Sequence, residues 1–275
     1  MQWFNGTLFA ADCPAIGNRA FDDKALKFGA SVFTTMRVYE QRLDHPRSQF
    51  SAHCDRLTRS LRTFDWHSPN WPSVHKGCQQ LLPHYPVIRI TIFSDGTEWI
   101  TGRTLPPKLA VWQQEGIACW LAPSTYARSL PTHKTGNYLA CWLARQQAQK
   151  YGADEAILTN CQGDWLETAT GNLWGWADGQ WWTPLPTHSE KHGNSLCLPG
   201  LMRDRMRKIL SKKGQAVNGT VWSPAVVSGF DAIAYTNCVV ELVPIHTILY
   251  EHTTLEYNTH HASLKVLRQW LASSS

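Results

Sequence analysis

The sequence predicts an α+β fold in two domains, and three observations carry that prediction. Strand-like and helix-like segments are intermingled without the regular alternation that builds a doubly wound parallel sheet. The length of 275 residues suits one large domain or two ordinary ones, at roughly 100–200 residues each. Residues 122–133 hold Pro123, Ser124, Ser129 and Pro131 with few periodic apolar positions, the composition of a linker. The expected division is a smaller N-terminal α/β domain over 1–121, a linker over 122–133 and a larger C-terminal domain over 134–275.

The elements follow in order. Residues 1–11 alternate apolar and polar side chains around Asn5-Gly6, a hairpin signal. Residues 29–39 (GASVFTTMRVY) are rich in β-branched and aromatic residues and read as a strand. A turn at Glu40-Gln41-Arg42 precedes another short strand. Phe50, Cys54, Leu57, Leu61 and Phe64 recur at helical spacing, and residues 74–82 form a second helix. Residues 87–93 (VIRITIF) alternate as a strand does. Residues 95–107, with Gly, Thr and two prolines, read as a loop, and residues 109–121 resume strand patterning. Residues 138–151 are a helix. Residues 155–159, 163–167 and 172–176 are short strands joined by turns. Pro199 introduces a helix over 200–213, residues 232–242 form a strand, and the last helix lies within 255–272.

Composition excludes several classes. Hydrophobic residues make up 43% and charged residues 17%, a globular balance. The net charge of +5 is dispersed, and the densest basic run, 203–208, contains Asp204 and has the spacing of a solvated helix face rather than a nucleic-acid footprint. The 14 Trp, among them Trp66, Trp71, Trp99, Trp181 and Trp182, read as packing residues. The eight cysteines, Cys13 to Cys238, include no C-x-x-C pair and no His at ligand spacing, so free thiols and no metal site are expected. No apolar run approaches the ~18–20 residues of a membrane span, and the first residues lack a secretory pattern. A cytoplasmic protein with no membrane or nucleic-acid partner is expected.

Four features carry possible chemistry. Lys134 lies where a loop runs into a helix, and reads either as a surface charge or as a carbonyl-binding nucleophile. The second reading needs an acid for a cofactor ring nitrogen and sites for a phosphate. Glu167 ends a strand and could be that acid, or a solvated strand-end carboxylate. Pro199-Gly200-Leu201-Met202-Arg203 opens a helix whose free N–H groups suit an anion, or is an ordinary Pro-Gly turn. Arg56 could hold a phosphate bidentately, or be a solvated helix arginine.

Taken together, these segments resemble the class IV pyridoxal 5′-phosphate (PLP) enzymes of fold type IV. These include branched-chain aminotransferases, D-amino acid aminotransferases and 4-amino-4-deoxychorismate lyases. The resemblance runs in order through residues 28–38 (FGASVFTTMRV), 53–60 (HCDRLTRS), 134–138 (KTGNY), 153–158 and 166–174 (LETATGNLW), 200–203 (GLMR) and 236–238 (TNC). It implies a two-domain, D-amino acid aminotransferase-like fold with PLP between the domains, Lys134 as the catalytic Schiff-base lysine, and a homodimer acting on a small amino acid or aminodeoxychorismate-like substrate. Arg56, Tyr138 and Glu167 would bind the cofactor, with Leu201, Met202, Asn237 and Cys238 in the later phosphate loops. Phe33, Thr35 and Arg89 would face the substrate. Phe33-Thr34-Thr35 and Asn237 are similar to the lyases, which release pyruvate and 4-aminobenzoate for folate synthesis. Tyr138 and Arg89 look more like branched-chain aminotransferases. The R-x-H carboxylate trap of D-amino acid aminotransferases is not apparent. A PLP-binding protein without catalysis is the third alternative.

Overall fold

The structure is a computed structural model that describes residues 1–10, 23–184, 197–250 and 253–273. The chain forms two compact units. The first comprises residues 1–106 together with 133–137, and the second begins at Pro107, omits 133–137 and continues from Tyr138.

In the first unit the elements are β1 (Gln2–Phe4), β2 (Thr7–Phe9), α1 (Lys24–Phe28), β3 (Ser31–Arg37), α2 (Phe50–Thr63), α3 (Trp71–Leu81), β4 (Val87–Phe93) and β5 (Glu98–Arg103). The sheet order is β2-β1-β5-β4-β3. Asn5 and Gly6, with φ of 43° and 79°, make the tight β1–β2 turn that the left-handed backbone of Asn-Gly favours. The two faces of the sheet differ because side chains alternate. Val32, Met36, Ile88, Ile90, Ile92 and Ile100 face a core built with Leu57 and Leu61 of α2 and Val74, Cys78 and Leu81 of α3. Gly77 lets α3 sit close to β1: a Cβ there would lie 2.6 Å from the buried ring of Trp3. Gly77→Ala is therefore expected to destabilise the protein by about 1–3 kcal/mol despite the better helix propensity of alanine; a chemical denaturation curve coinciding with that of the parent would refute this packing account.

The region read as a loop over 95–107 contains β5, the central strand of this sheet. Its Gly, Thr and charged residues conceal it in sequence. Glu98 is buried here because its Oε1 accepts hydrogen bonds from Trp3 Nε1 (3.3 Å), Gly6 N (3.0 Å) and Ser73 Oγ (2.7 Å).

The second unit contains α4 (Leu109–Glu115), β6 (Ile117–Leu121), a 3-10 turn (Ser124–Tyr126), α5 (Leu139–Lys150), β7 (Glu155–Thr159), β8 (Trp165–Thr168), β9 (Asn172–Ala177), β10 (Gln180–Pro184), α6 (Leu201–Lys212), β11 (Val217–Thr220), α7 (Pro224–Val227), β12 (Ala232–Asn237), β13 (Glu241–Tyr250), β14 (Thr253–Glu256) and α8 (Ala262–Ser273). One mixed sheet runs β11-β10-β9-β12-β13-β6-β7-β8, with β14 on β13. Met202, Met206 and Ile209 of α6 and Leu264, Leu267 and Leu271 of α8 pack on Trp174, Trp181 and Ala234 of this sheet. Cys141, Ala144 and Ala148 of α5 pack on Ala156 and Leu158 of β7.

Four expectations are corrected here. Residues 109–121 are a helix and then a strand, divided at Gly116, whose φ of 91° ends α4. Since α4 buries Leu109 alone among its residues, it carries no periodic apolar stripe to announce it. The strand expected over 232–242 is two strands, because Asn237 Oδ1 accepts from the backbone N–H groups of Val239 (2.8 Å) and Val240 (3.0 Å) and turns the chain. The division of the units also differs from the expected one: β6 pairs with β13 and β7, which assigns 107–132 to the second unit, while Thr135 bridges to Val32, which assigns the Lys134 segment to the first. The basic run of α6 is no uniformly solvated face, since Arg203 and Met206 are buried. Seven of the eight cysteines are free thiols; Cys13 lies outside the described residues. No group of side chains among the described residues could hold a metal ion, and no described helix is long and apolar enough to cross a membrane.

Candidate active site

The first unit brings together Phe33, Thr35, Arg89 and Lys134. Residues 133–137 lie along β3, where Phe33 N donates to Lys134 O (2.8 Å) and Gly136 N to Ser31 O (2.7 Å). These bonds fix the backbone of Lys134 whatever its side chain does. Its half-buried Nζ stands 4.8 Å from the centroid of the Phe33 ring, and the Arg89 guanidinium lies 3.8 Å from the same centroid. Thr35 is the cross-strand partner of Arg89, and Arg89 of Thr101. The sheet face opposite the core thus carries a polar, cationic row of Thr35, Arg89 and Thr101 beside a row of Phe33, Thr91 and Trp99.

Arg56 enters from α2 and is buried, not solvated. Its Nη2 donates to Thr34 Oγ1, and Thr34 Oγ1 is also hydrogen-bonded to Nδ1 of the fully buried His53. Burial, reinforced by the cations of Arg56 and Lys134, pushes the His53 imidazole well below its ordinary range, so the ring is neutral. One turn further along α2, Ser60 Oγ is 3.0 Å from Nδ1 of His133, the residue before Lys134.

The second unit brings together Tyr138, Glu167 and the start of α6. Glu167 is only 2% exposed, not a solvated strand end. Its Oε1 accepts from Arg128 Nε (2.8 Å) and from Leu198 N (3.2 Å). Arg128, which the sequence hid inside a presumed linker, also donates to Ala169 O (3.1 Å) and lies 4.9 Å from the centroid of the Tyr138 ring. Burial opposes its charge, but Glu167 and Tyr138 outweigh burial and hold the guanidinium above its ordinary value. The Tyr138 hydroxyl donates to Ala169 O, and burial pushes its pKa up to about 12 with Arg128 opposing.

The peptide of Leu198 joins this carboxylate to α6. Its N–H reaches Glu167 and its carbonyl accepts from Asn172 Nδ2 (2.9 Å). Gly200 caps α6 with its Cα against Asn172, where a Cβ would stand 1.9 Å from Oδ1. The first intrahelical bond is Asp204 N to Gly200 O (3.0 Å). The N–H groups of Leu201 and Met202 precede it, as donors of a helix start do, while their side chains are buried in the core. Only the backbone of these two residues can therefore meet an anion. Asn172 pairs with Thr236, which sets Asn237 and Cys238 beside the same loop. Asn237 Nδ2 is 3.4 Å from Thr170 Oγ1, whose hydroxyl is bonded to the buried Glu155, and Cys238 packs against the apolar cluster.

Two α+β units carrying a sheet-anchored lysine, a buried carboxylate paired with an arginine, and a Gly-capped helix start define an enzyme of fold type IV, and comparison with known proteins agrees. The pattern of the amino-transferase class IV family matches residues 31–248, and the chain belongs to that family, whose members depend on PLP. The branched-chain-amino-acid aminotransferases of Salmonella typhimurium and Escherichia coli are each 23% identical over 269 residues, covering 90% of this chain and 84% of theirs. The E. coli branched-chain aminotransferase structure superposes with a TM-score of 0.80 at 22% identity, covering 98% of this chain and 92% of that one. A Legionella pneumophila protein described as a candidate 4-amino-4-deoxychorismate lyase superposes with a TM-score of 0.76 at 18% identity, covering 93% and 95%.

The residues present fit PLP. The first unit supplies a lysine for an aldehyde; the second supplies a carboxylate paired with Arg128 for a ring nitrogen, and a helix start whose Gly200 leaves no room for a side chain.

Proposed function

We propose that this enzyme is a PLP-dependent 4-amino-4-deoxychorismate lyase that releases pyruvate and 4-aminobenzoate. The observation that supports this reading is the stripe of Thr35, Arg89 and Thr101 beside Phe33. A guanidinium flanked by hydroxyls suits a carboxylate-bearing ring. It suits a branched aliphatic side chain poorly, because an apolar ligand would strip water from these groups without replacing their hydrogen bonds.

In this reading Arg56 and the N–H groups of Leu201 and Met202, with the Asn237-Cys238 turn, bind the cofactor phosphate. Tyr138 supports the ring, and Glu167 holds a proton at its nitrogen. Bound PLP supplies an electron sink for the carbon that bears the amine. Lys134 takes the proton from that carbon. The ether C–O bond then breaks, the six-membered ring becomes aromatic, and the departing three-carbon enol takes up a proton to become pyruvate. No net oxidation occurs.

A second reading, transamination of branched-chain amino acids, has its own support in the curated relatives, which are named as such aminotransferases. A paired assay separates the two. One arm follows pyruvate and 4-aminobenzoate from aminodeoxychorismate; the other follows keto-acid-dependent transamination of branched-chain and D-amino acids. Turnover in the first arm alone supports the lyase, and turnover in the second alone refutes it. A PLP-binding protein without catalysis would be yellow and silent in both.

Arg56→Ala is expected to weaken PLP retention by roughly ten- to a hundred-fold, the loss of a charge-assisted partner. Equilibrium dialysis measures it, and an unchanged dissociation constant removes Arg56 from the cofactor site. The exposed apolar side chains of Leu139, Trp142 and Leu143 on one face of α5 support the homodimer as part of this proposal; light scattering at the mass of one chain would exclude it.

A further inference from the structure

We propose that Thr34 and His53 are positioning residues that aim the Arg56 guanidinium at the phosphate of the cofactor. The inference rests on the reading of Arg56 given above and extends it to two residues that touch no ligand.

The argument starts from hydrogen-bond accounting. A guanidinium only donates, so Thr34 Oγ1 must accept from Arg56 Nη2. A hydroxyl has one proton to give, and the partner remaining for it is His53 Nδ1, 2.5 Å away. The direction of both bonds is thereby fixed: Arg56 to Thr34, Thr34 to His53. It follows that Nδ1 of His53 carries no proton and the ring is the neutral Nε2–H tautomer. Nε2 itself has no hydrogen-bond partner among the described residues, so the recorded polar tether of the ring is the one through Nδ1.

The arrangement costs stability, which asks for a reason. Thr34 and His53 are both at 0% exposure in an otherwise apolar core, and Arg56 is at 7%. Thr34 occupies the core face of β3, between Val32 and Met36. Valine would fill that place without burying a hydroxyl. His53 and Arg56 are three residues apart on α2 and so share one face, which brings both to the same oxygen. A planar guanidinium has its remaining donors set by the direction of any one of them. Anchoring Nη2 on a hydroxyl that is itself locked by a neutral imidazole therefore orients the whole fork before a ligand arrives. The buried, neutral state of His53 keeps Nδ1 available as the acceptor that this chain of bonds needs.

The test compares the affinity of the full-length protein for PLP with its affinity for pyridoxal, which lacks the phosphate. Thr34→Val keeps the shape and removes the hydroxyl. It is expected to weaken PLP binding by about tenfold, the loss of one buried charge-assisted bond, while pyridoxal binding changes less than about twofold on the same reasoning. Thr34→Ser should restore PLP binding. If Thr34→Val does not fold, the His53 pair carries the test. His53→Asn offers an acceptor near the place of Nδ1 and should keep the preference for PLP, whereas His53→Leu should lose it. Equal losses for PLP and pyridoxal, or no loss for either, would overturn the proposal and leave these residues merely structural. Arg56→Ala is the control: if it leaves the preference for PLP intact, the assignment of Arg56 fails, and if it erases the preference while Thr34→Val does not move it, only the positioning proposal fails.

Discussion

Lys134→Ala is expected to abolish turnover, by at least about 10⁴-fold, since in the proposed function this side chain supplies both the carbonyl-binding amine and the base. The yellow colour that lysine-bound PLP gives the protein should vanish with it. The fold should survive, because the segment is held to β3 by its backbone, through Phe33 N to Lys134 O and Gly136 N to Ser31 O. An unchanged thermal midpoint with no colour and no turnover in either assay is the expected result. A purified Lys134→Ala protein that is yellow and active would show that another amine does this work.

Glu167→Gln is expected to damage two properties at once. Turnover should fall by at least about a hundred-fold, because a neutral amide no longer favours a protonated ring nitrogen. Stability should fall as well. Read from sequence as an exposed strand-end residue, Glu167 would tolerate the change. The structure shows Arg128 buried against it at 2.8 Å, so the amide leaves a guanidinium without its counter-charge in a dry environment. Breaking one side of such a pair costs about 3–5 kcal/mol, or a fall on the order of 10 °C in thermal midpoint for a chain of this size. The bonds of Arg128 to Ala169 O and Tyr138 place the expectation at the lower end. Combining Glu167→Gln with Arg128→Met removes the stranded charge. That double variant should regain most of the lost stability and none of the lost turnover. Recovery of turnover with stability would mean that Glu167 serves folding alone.

Much of this enzyme was legible in its sequence. The β1–β2 hairpin follows from Asn5-Gly6, and α2 follows from the spacing of Leu57 and Leu61, because local backbone preference and a one-sided apolar stripe act over a few residues. Strand β4 was marked by alternation, and its limits, Val87–Phe93, are those of the structure. The family, the fold and the enzymatic class were carried by short motifs in order along the chain. What stayed hidden had no local signature. Strand β5 is polar and Gly-containing, and is a strand because β1 and β4 flank it. Helix α4 is an exposed surface helix without a stripe.

The sequence by itself supplied the residues on which the proposed chemistry rests, Lys134, Glu167, Arg56 and the Gly200 helix start, since each is a property of one residue and its neighbours. Tertiary structure alone decided which charges and hydrogen-bond partners surround them. Arg128 is one arginine in a Pro- and Ser-rich stretch, and nothing within 10 residues of it hints that it will be buried on a carboxylate 39 residues away. Thr34 and His53, 19 positions apart, become one hydrogen-bonded unit with Arg56 only when α2 lies on β3. Burial and charge pairing depend on the surroundings in space, and those are set by the packing of whole elements rather than by spacing along the chain.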